Sequence, residues 1–340
     1  MKVAIITQPL LNNYGGLLQN YALQKVLSVL GCQPITIDYL RTIRPNIIKY
    51  IGGLVKNFIL FILQKRKNII WFSFTKALGI GIRKSWSNIF VSNIQRTNSF
   101  LSYKSSRNVL KECDCVIVGS DQVWRPKFVY CIYDYFGAFF RDLPIKRIVY
   151  AASFGVDNWE YSPIQTRECT ALVRKFNAIS VREESGVKLC KKHLGVDAAW
   201  VLDPTLLLKK EDYLQICENV PVCTEKYLAA YILDENEQVA ETCKKEACSR
   251  GLVVKILRAD SKSTLPVSEW LAIFRDASYV VTDSFHGMVF SIIWGKEFKC
   301  LYNQSRGSAR FDSLLKLYES GKLEQMREFS LNWLKNALES

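Results

Sequence analysis

The chain has 340 residues, of which 49% are hydrophobic and 23% charged, and its formal net charge is +14. This composition excludes a disordered protein, and the length fits two domains of ordinary size. The eleven cysteines form no CxxC pair and no group with histidine at zinc-ligand spacing, which argues against a zinc site and a secreted disulfide scaffold. Because the first apolar run is too short for a signal peptide, we expect a cytoplasmic protein.

The excess positive charge lies in one segment. Between Tyr39 and Lys111 there is no Asp or Glu, whereas there are fourteen Lys and Arg. The rest of the chain is therefore close to neutral. The basic segment is typical of an insertion that lies at the protein surface and has a separate function there.

A short apolar stretch lies inside this basic segment. It runs for thirteen residues from Ile51 to Leu63 and contains Lys56, so it is too short for a bilayer span of about twenty residues. Its aromatic residues and the basic flank at 65–67 are typical of an interfacial helix. We expect residues 47–72 to make a peripheral contact with the inner face of the plasma membrane. A core or dimer helix is the alternative, and no motif indicates binding to nucleic acid.

The chain begins with a β–loop–α–β pattern. Residues 2–7 predict a buried parallel strand, and the turn-forming residues 8–16 predict a loop. Apolar residues at helical spacing then predict a helix that ends at Gly31. QPITIDYL, residues 33–40, predicts the second strand. This order is the start of a doubly wound sheet.

The same alternation continues to the end of the chain. Four more strands are predicted before residue 209, within CDCVIVGSDQVW, RIVYAASFG, NAISVREESG and AAWVLDPTLLL. Four follow it, within KYLAAYIL, LVVKILRA, SYVV and KEFKCLYN, with the helices ENEQVAETCKKEACSRG, VSEWLAIFRDA and MVFSIIWG between them.

The predicted fold class is therefore α/β, with two Rossmann-like parallel-sheet domains. We place the first domain at residues 1–208, with the basic apolar helical insertion at about 40–110, and the second at residues 209–340. For a group-transfer reaction we expect the acceptor on the side of the first domain and the donor on the side of the second. Ligands of parallel sheets bind beyond the carboxyl ends of the strands. In a two-domain protein this places the site in the cleft between the domains.

The first polar cluster follows the first predicted strand. It consists of Asn13, Tyr14, Gly15 and Gly16, and its glycines let backbone amides approach an anion or a sugar. The cluster lacks the GxGxxG spacing of a dinucleotide site. A plain turn between strand and helix is the alternative.

Two further clusters follow strands of the first domain. Ser120 and Asp121 end the strand VIV, and Asp121 is a candidate base, with capping of the next turn as the alternative. Trp124 is a candidate platform for a sugar ring. Ser153 follows the next strand and is less distinctive.

The chain has two histidines. His193 lies at the basic end of a predicted helix, where we expect it to be exposed or to cap the helix. His286 lies between the strand SYVV and the helix MVFSIIW, beside Ser284, Phe285 and Gly287. Free helix amides, a hydroxyl and an imidazole make an anion site, and His is the side chain best suited to move a proton at neutral pH. A structural His bonded to a backbone carbonyl is the alternative.

Three arginines are candidates for the same edge of the cleft. Arg182 follows the strand AISV, and Arg306 and Arg310 follow the strand KCLY. The guanidinium group suits a carboxylate or a phosphate. A surface position is the alternative for each of them.

These segments together resemble the polysaccharide pyruvyl transferase family. The matching pieces, in order, are NNYGGLLQNYALQKVL, VIVGSDQVW, YAASFG, ISVREESG, VLDPTLLL, ASYVVTDSFHGMVFSIIWGKEF and RGSARFDSLL. They extend over nearly the whole chain. GSDQVW together with TDSFHG is a specific combination, although neither is specific alone.

The resemblance implies a fold like that of the two-domain GT-B glycosyltransferases. It also implies transfer of a pyruvyl group from phosphoenolpyruvate to a sugar of a cell-surface polysaccharide, such as a capsule or exopolysaccharide, or of its lipid-linked precursor. The product is a pyruvate ketal, and no metal or organic cofactor is required. The donor-binding positions of the family fall on Arg182 and on residues 284–287. Some members have Arg where this chain has Ser284, so the carboxylate clamp expected there is either missing or supplied by Arg182, Arg306 or Arg310.

On this basis we expect His286 to be a general acid or a phosphate ligand and Asp121 to be the base on the acceptor side. Both must then face one crevice. Two alternatives remain open: a GT-B glycosyltransferase that uses a nucleotide sugar, and a non-catalytic scaffold of a glycan assembly system.

Overall fold

The structure is a computed structural model that describes residues 1–40, 55, 62, 81–258, 263–302 and 307–340. The predicted interfacial segment, 47–72, lies outside the described residues apart from Val55 and Ile62, which are helical and exposed. Arg306 also lies outside them. In the part of the chain that is described, no helix is both long and apolar enough to span a membrane. All eleven cysteines are free thiols.

The first domain is built on a six-stranded sheet whose strands are all parallel, in the order β2-β1-β3-β4-β5-β6. Its strands are rich in Val, Ile and Ala because helices and loops cover both faces of a parallel sheet. They are β1 (Lys2–Ile6), β2 (Gln33–Thr36), β3 (Cys115–Val118), β4 (Lys146–Ala152), β5 (Ala178–Val181) and β6 (Ala199–Trp200).

The second domain is built on a four-stranded parallel sheet in the order β10-β9-β7-β8. Its strands are β7 (Tyr227–Tyr231), β8 (Val253–Leu257), β9 (Tyr279–Thr282) and β10 (Phe298–Cys300). The prediction of two Rossmann-like parallel-sheet domains is thereby confirmed.

Eleven α-helices connect and cover these strands in the described residues. In the first domain they are α1 (Tyr14–Val29), α2 (Ser85–Val91), α3 (Arg107–Leu110), α4 (Pro163–Val173) and α5 (Glu184–Leu189). In the second part of the chain they are α6 (Lys210–Cys217), α7 (Glu237–Arg250), α8 (Val267–Asp276), α9 (Phe285–Ile293), α10 (Ala309–Glu319) and α11 (Leu323–Glu339).

Helix α1 begins earlier than the predicted loop allows. Asn13 is its N-cap and its side chain accepts a hydrogen bond from the Gly16 amide at 2.9 Å. This cap satisfies a free amide of the first turn, so Tyr14, Gly15 and Gly16 belong to the helix and the loop of residues 8–16 is shorter than predicted.

The C-terminal helix does not stay with the second sheet. The Lys146 ammonium at the start of β4 donates a hydrogen bond to the Leu338 carbonyl at 2.7 Å, and the Leu202 amide donates one to the Ser330 hydroxyl at 3.0 Å. The two sheets lie on either side of the predicted boundary at 208/209, but α11 returns to the first domain.

An aromatic stack joins the two domains beside the cleft. The ring of Tyr14 lies between Trp86 of the first domain, 4.3 Å away between centroids, and Trp270 of the second, 5.0 Å away. Its hydroxyl contacts the Leu265 carbonyl at 2.6 Å and the Ser263 hydroxyl at 2.7 Å. The first turn of α1 is thus packed and hydrogen-bonded against the second domain.

We predict that Tyr14→Ala destabilises the protein by about 3–5 kcal/mol because it removes a buried ring from this stack. Tyr14→Phe keeps the stack and loses only the hydroxyl, so it is expected to lower the free energy of unfolding by about 1 kcal/mol. Denaturant unfolding of both variants measures the difference, and equal losses would contradict the importance of the ring.

Candidate active site

A polar cavity of about 180 Å³ lies between the domains, where the carboxyl ends of the central strands of both sheets meet. The first domain contributes Gln8, Asn13, Gly15, Asp121, Gln122 and Phe128, and the second Tyr231, Leu233, Asp283, Ser284, Phe285, His286 and Arg310. His286 and Asp121 therefore line one cavity, as the sequence predicts. Their roles in chemistry remain predictions.

His286 lies in the first turn of α9. Ser284 is the N-cap of this helix, and its hydroxyl accepts a hydrogen bond from the Gly287 amide at 3.4 Å. The imidazole Nε2 is buried and has no hydrogen-bond partner among the described residues; Asp203 Oδ2 lies 3.8 Å from it. Burial lowers the pKa of His286 below its usual 6.5, in spite of the opposing effect of Asp203 and Asp121. Burial thus favours the neutral form of the imidazole.

Gly15 lets His286 approach the first domain. A Cβ at position 15 would lie only 1.9 Å from His286 Nδ1. Since no side chain can occupy that space, the imidazole packs directly on the backbone of the first turn of α1. The amino ends of α1 and α9 therefore face the same cavity, and each contributes the positive end of a helix dipole.

Asp121 has an unusual backbone. Its φ angle is 75°, and its carbonyl accepts hydrogen bonds from the amides of Val123 and Ser153 at 2.7 and 3.0 Å. Positive φ is uncommon outside glycine, although Asp tolerates it better than most residues, and such backbone is concentrated at functional sites. Here it turns the carboxylate towards the cavity immediately after β3.

Arg182 is not a free anion clamp. Its guanidinium is buried, donates to Asp203 Oδ2 at 2.5 Å and lies 3.4 Å from Asp121 Oδ1. It does not belong to the cavity lining. Its positive charge is already neutralised by these two carboxylates, which disfavours the predicted direct contact between Arg182 and the donor.

Asp203 is the site residue that the sequence prediction missed. It is fully buried, and its oxygens also accept hydrogen bonds from the hydroxyls of Ser120 at 3.0 Å and Thr205 at 2.6 Å. Arg182 and His286 then help to lower the pKa of Asp203 to about 2, against the effect of burial. The only signal in the sequence was a carboxylate directly before Pro204, at the end of a strand.

Arg310 supplies the cationic wall of the cavity. It is buried against the ring of Phe285, with 5.6 Å from its guanidinium carbon to the ring centroid. Burial and the neighbouring Arg182 charge lower the pKa of Arg310 to about 10, so it stays protonated at neutral pH. A buried cation at a cavity wall favours an anionic ligand.

Glu183 holds the loop of residues 153–155, which follows β4, through hydrogen bonds. Its Oε1 accepts hydrogen bonds from the amides of Phe154 and Gly155 at 2.6 and 3.1 Å and from the hydroxyl of Ser153 at 3.2 Å. Burial raises the pKa of Glu183. Ser153, predicted to bind the acceptor, is thus buried and engaged with Glu183.

Three other predicted acceptor residues are also buried and engaged elsewhere. Ser120 binds Asp203, and Tyr14 lies in the interdomain stack. The Trp124 indole is fully buried, donates to the Tyr135 carbonyl at 3.1 Å and stacks on Phe136. These side chains present no free surface to a sugar, so the prediction of Trp124 as a platform is wrong.

Phe128, four residues after Trp124, does present an aromatic face to the cleft. It is 43% exposed and lines the cavity, with the Arg125 guanidinium 4.4 Å from its ring centroid.

His193 is partly exposed at the end of its helix and stacks on Trp159 at 4.6 Å. It does not contribute to the cavity.

These observations define an α/β protein of two parallel-sheet domains, with a histidine, an arginine and two carboxylates around a small interdomain cavity. A profile of the family described as polysaccharide pyruvyl transferase matches residues 13–305. The chain belongs to this family and is a transferase that acts in the modification of polysaccharides.

Solved structures resemble the chain only distantly. UDP-GlcNAc 2-epimerase from Methanocaldococcus jannaschii has 14% identity and a TM-score of 0.46, with coverage of 98% of this chain and 93% of that one. An α-glucosyltransferase in complex with UDP and DNA has 9% identity and a TM-score of 0.46, with 98% and 95% coverage. S. aureus MnaA with UDP has 10% identity and a TM-score of 0.47, with 96% and 90% coverage. No curated protein matches the chain.

We predict that Gly15→Ala disturbs the site, because the new methyl group would overlap the His286 ring. The expected loss of stability is about 1–3 kcal/mol, together with a shift of the His286 imidazole resonances in NMR spectra. Gly16→Ala is the matched control, since a Cβ there would lie 3.4 Å from its nearest neighbour. Unchanged imidazole resonances in Gly15→Ala would contradict the contact.

Proposed function

We propose that the protein transfers the pyruvyl group of phosphoenolpyruvate to two hydroxyls of a sugar in a polysaccharide or its precursor, forming a pyruvate ketal. The observation that carries the proposal is one cavity with Arg310 and His286 on the wall of the second domain and the Asp121 carboxylate on the wall of the first. A second carboxylate, Asp283, also lines the cavity and accepts hydrogen bonds from the amides of Leu233 and Asp234. Family membership supports a pyruvyl donor, and the buried guanidinium of Arg310 supports an anionic one.

The size of the cavity favours phosphoenolpyruvate over a nucleotide sugar. Its volume of about 180 Å³ is below the roughly 300–1,000 Å³ of sites for drug-sized ligands. A three-carbon anion with a phosphate and a carboxylate is closer to this size. We assign one anionic group to Arg310 and the other to the amides at the start of α9.

Arg310 takes the place of the arginine that some family members carry at position 284. Ser284 instead caps α9 through the Gly287 amide, so position 284 contributes a helix end and not a charge. Arg310 comes from the next helix, α10, and reaches the same cavity. The arginine that binds the anionic group thus comes from α10 and not from the start of α9.

The chemistry requires one proton donor and one proton acceptor. A proton added to the methylene carbon of phosphoenolpyruvate gives an oxocarbenium-like centre, which a sugar hydroxyl attacks. Phosphate leaves, and a neighbouring hydroxyl closes the ketal. We assign the first proton to His286, which becomes able to carry it when the donor brings negative charge, and the proton of the attacking hydroxyl to Asp121. The proton of the second hydroxyl returns to His286, and the proton on Asp121 passes to the released phosphate.

The acceptor sugar approaches from the first domain. Asp121 is the carboxylate on that wall of the cavity, and the exposed ring of Phe128 offers an apolar face to the sugar. The basic segment at residues 47–72 would hold the enzyme at the membrane surface, where a lipid-linked form of the acceptor is found.

We predict that the protein binds phosphoenolpyruvate and that Arg310→Gln weakens this binding about 10- to 100-fold, because one charge-assisted contact is lost. Isothermal titration calorimetry measures the affinity, and circular dichroism verifies the fold of the variant. Arg167→Gln is the control, since the Arg167 side chain is 75% exposed. Binding of UDP without binding of phosphoenolpyruvate would instead support a glycosyltransferase that uses a nucleotide sugar.

We also predict a specific change in the titration of the two histidines. In the free protein, burial holds the pKa of both His286 and His193 below 6.5. Bound phosphoenolpyruvate places negative charge beside His286 only, so its pKa is expected to rise while that of His193 stays constant. NMR titration measures both, with His193→Gln for assignment. An unchanged His286 pKa at saturating donor would remove His286 from the donor site.

A further inference from the structure

A groove of about 510 Å³ lies in the second domain along the edge strand β10. Its floor and walls include Phe298 of β10 and Leu315 and Tyr318 of α10, and Tyr302 lies just after β10. Phe298 and Tyr318 are in ring contact at 5.8 Å. The groove is separate from the interdomain cavity and shares no lining residue with it.

The exposure of the two tyrosines sets this groove apart. Tyr302 is 50% exposed and Tyr318 is 42% exposed. Among the described tyrosines these are the only two that are exposed, and every described tryptophan is more deeply buried. Phe128 and Phe329 are the other exposed aromatic residues of the described chain, and neither lines the groove. The groove therefore contains two of the four exposed aromatic rings among the described residues.

Aromatic contacts connect the groove to the active cleft. The ring of Tyr302 contacts Phe311 at 5.7 Å, Phe311 contacts Phe285 at 6.0 Å, and Phe285 contacts the imidazole of His286 at 5.4 Å. Phe285 itself lines the cavity. Three successive ring contacts thus link Tyr302 at the end of the groove to His286 in the interdomain cavity.

The rim carries groups that can bind hydroxyls. Glu297 and Glu319 are exposed on it, and the Arg250 guanidinium lies 3.8 Å above the ring of Tyr279. Aromatic faces with carboxylates beside them suit a sugar, which has an apolar C–H face and a polar edge of hydroxyls. Charges of both signs make the rim a poor match for a purely anionic ligand.

We infer that this groove is a binding site for the part of an acceptor glycan that lies outside the active cleft, with Tyr302 and Tyr318 stacking on its sugar rings. The inference rests on the proposed function, because it takes the acceptor to be a chain of sugars that enters the interdomain cavity at one point. It names a second site, which raises affinity for long acceptors without taking part in the chemistry.

The test uses the surface polysaccharide of the producing cells, partially hydrolysed and separated by length. Binding of each fraction is measured by calorimetry without phosphoenolpyruvate, so that failure of the donor proposal does not affect the result. The variants are the double substitution Tyr302→Ala and Tyr318→Ala, and Phe329→Ala as the matched control, since Phe329 is 48% exposed on α11 and outside the groove.

The double variant is expected to bind the long fractions about tenfold more weakly, through the loss of two stacked rings, and the one- and two-sugar fractions with unchanged affinity. Tyr302→Phe with Tyr318→Phe keeps the rings and is expected to retain most of the affinity. Equal binding of long fractions by the wild type and the double alanine variant overturns the inference. So does a wild-type oligomer, detected by light scattering, that the alanine substitutions dissociate, because the groove would then be a subunit interface.

Discussion

The candidate site depends on one buried cation held between two carboxylates. Transfer of a guanidinium group from water to the protein interior is strongly unfavourable unless opposite charges and hydrogen bonds compensate for it. Arg182 satisfies this condition through Asp203 and Asp121. The same ion pairs hold the Asp121 carboxylate beyond the carboxyl end of β3 and the Asp203 carboxylate near Nε2 of His286. The acid–base pair of the proposed reaction is thus arranged by a residue that does not itself line the cavity.

The second constraint is the closeness of the two domains. Gly15 packs against the His286 ring, and Gly307 packs against the Gly155 carbonyl. A Cβ at position 307 would lie only 2.0 Å from that carbonyl oxygen. Gly155 is in turn held by Glu183, and Gly307 lies three residues before Arg310. Because glycine has no side chain, the backbone at Gly15 and Gly307 packs directly against residues of the other domain and supports the site. The cavity is therefore small because the domains are in direct contact around it.

The sequence predicts the fold well because the hydrophobic pattern of parallel strands is local, and it predicts His286 and Asp121 because residues after such strands meet at one edge of a sheet. It does not predict Asp203, whose importance arises from partners distant along the chain. Trp124 shows the opposite failure, since an aromatic residue in a polar motif gives no sign of whether its ring is buried or exposed. Arg182 lies behind the cavity, where its charge is neutralised by Asp121 and Asp203, which only the three-dimensional structure brings together.

The return of α11 to the first domain affects how the halves can be separated. Trp333 on this helix contacts the ring of Tyr150 in β4 at 6.0 Å, and Ser330 binds the Leu202 amide. A fragment that ended near residue 208 would leave part of the first sheet without its cover, and one that began there would carry a helix with no surface to pack on. The two halves are therefore not independent modules that could be exchanged with those of a relative by cutting between the sheets. A chimaera would have to take its last helix from the same parent as its first sheet.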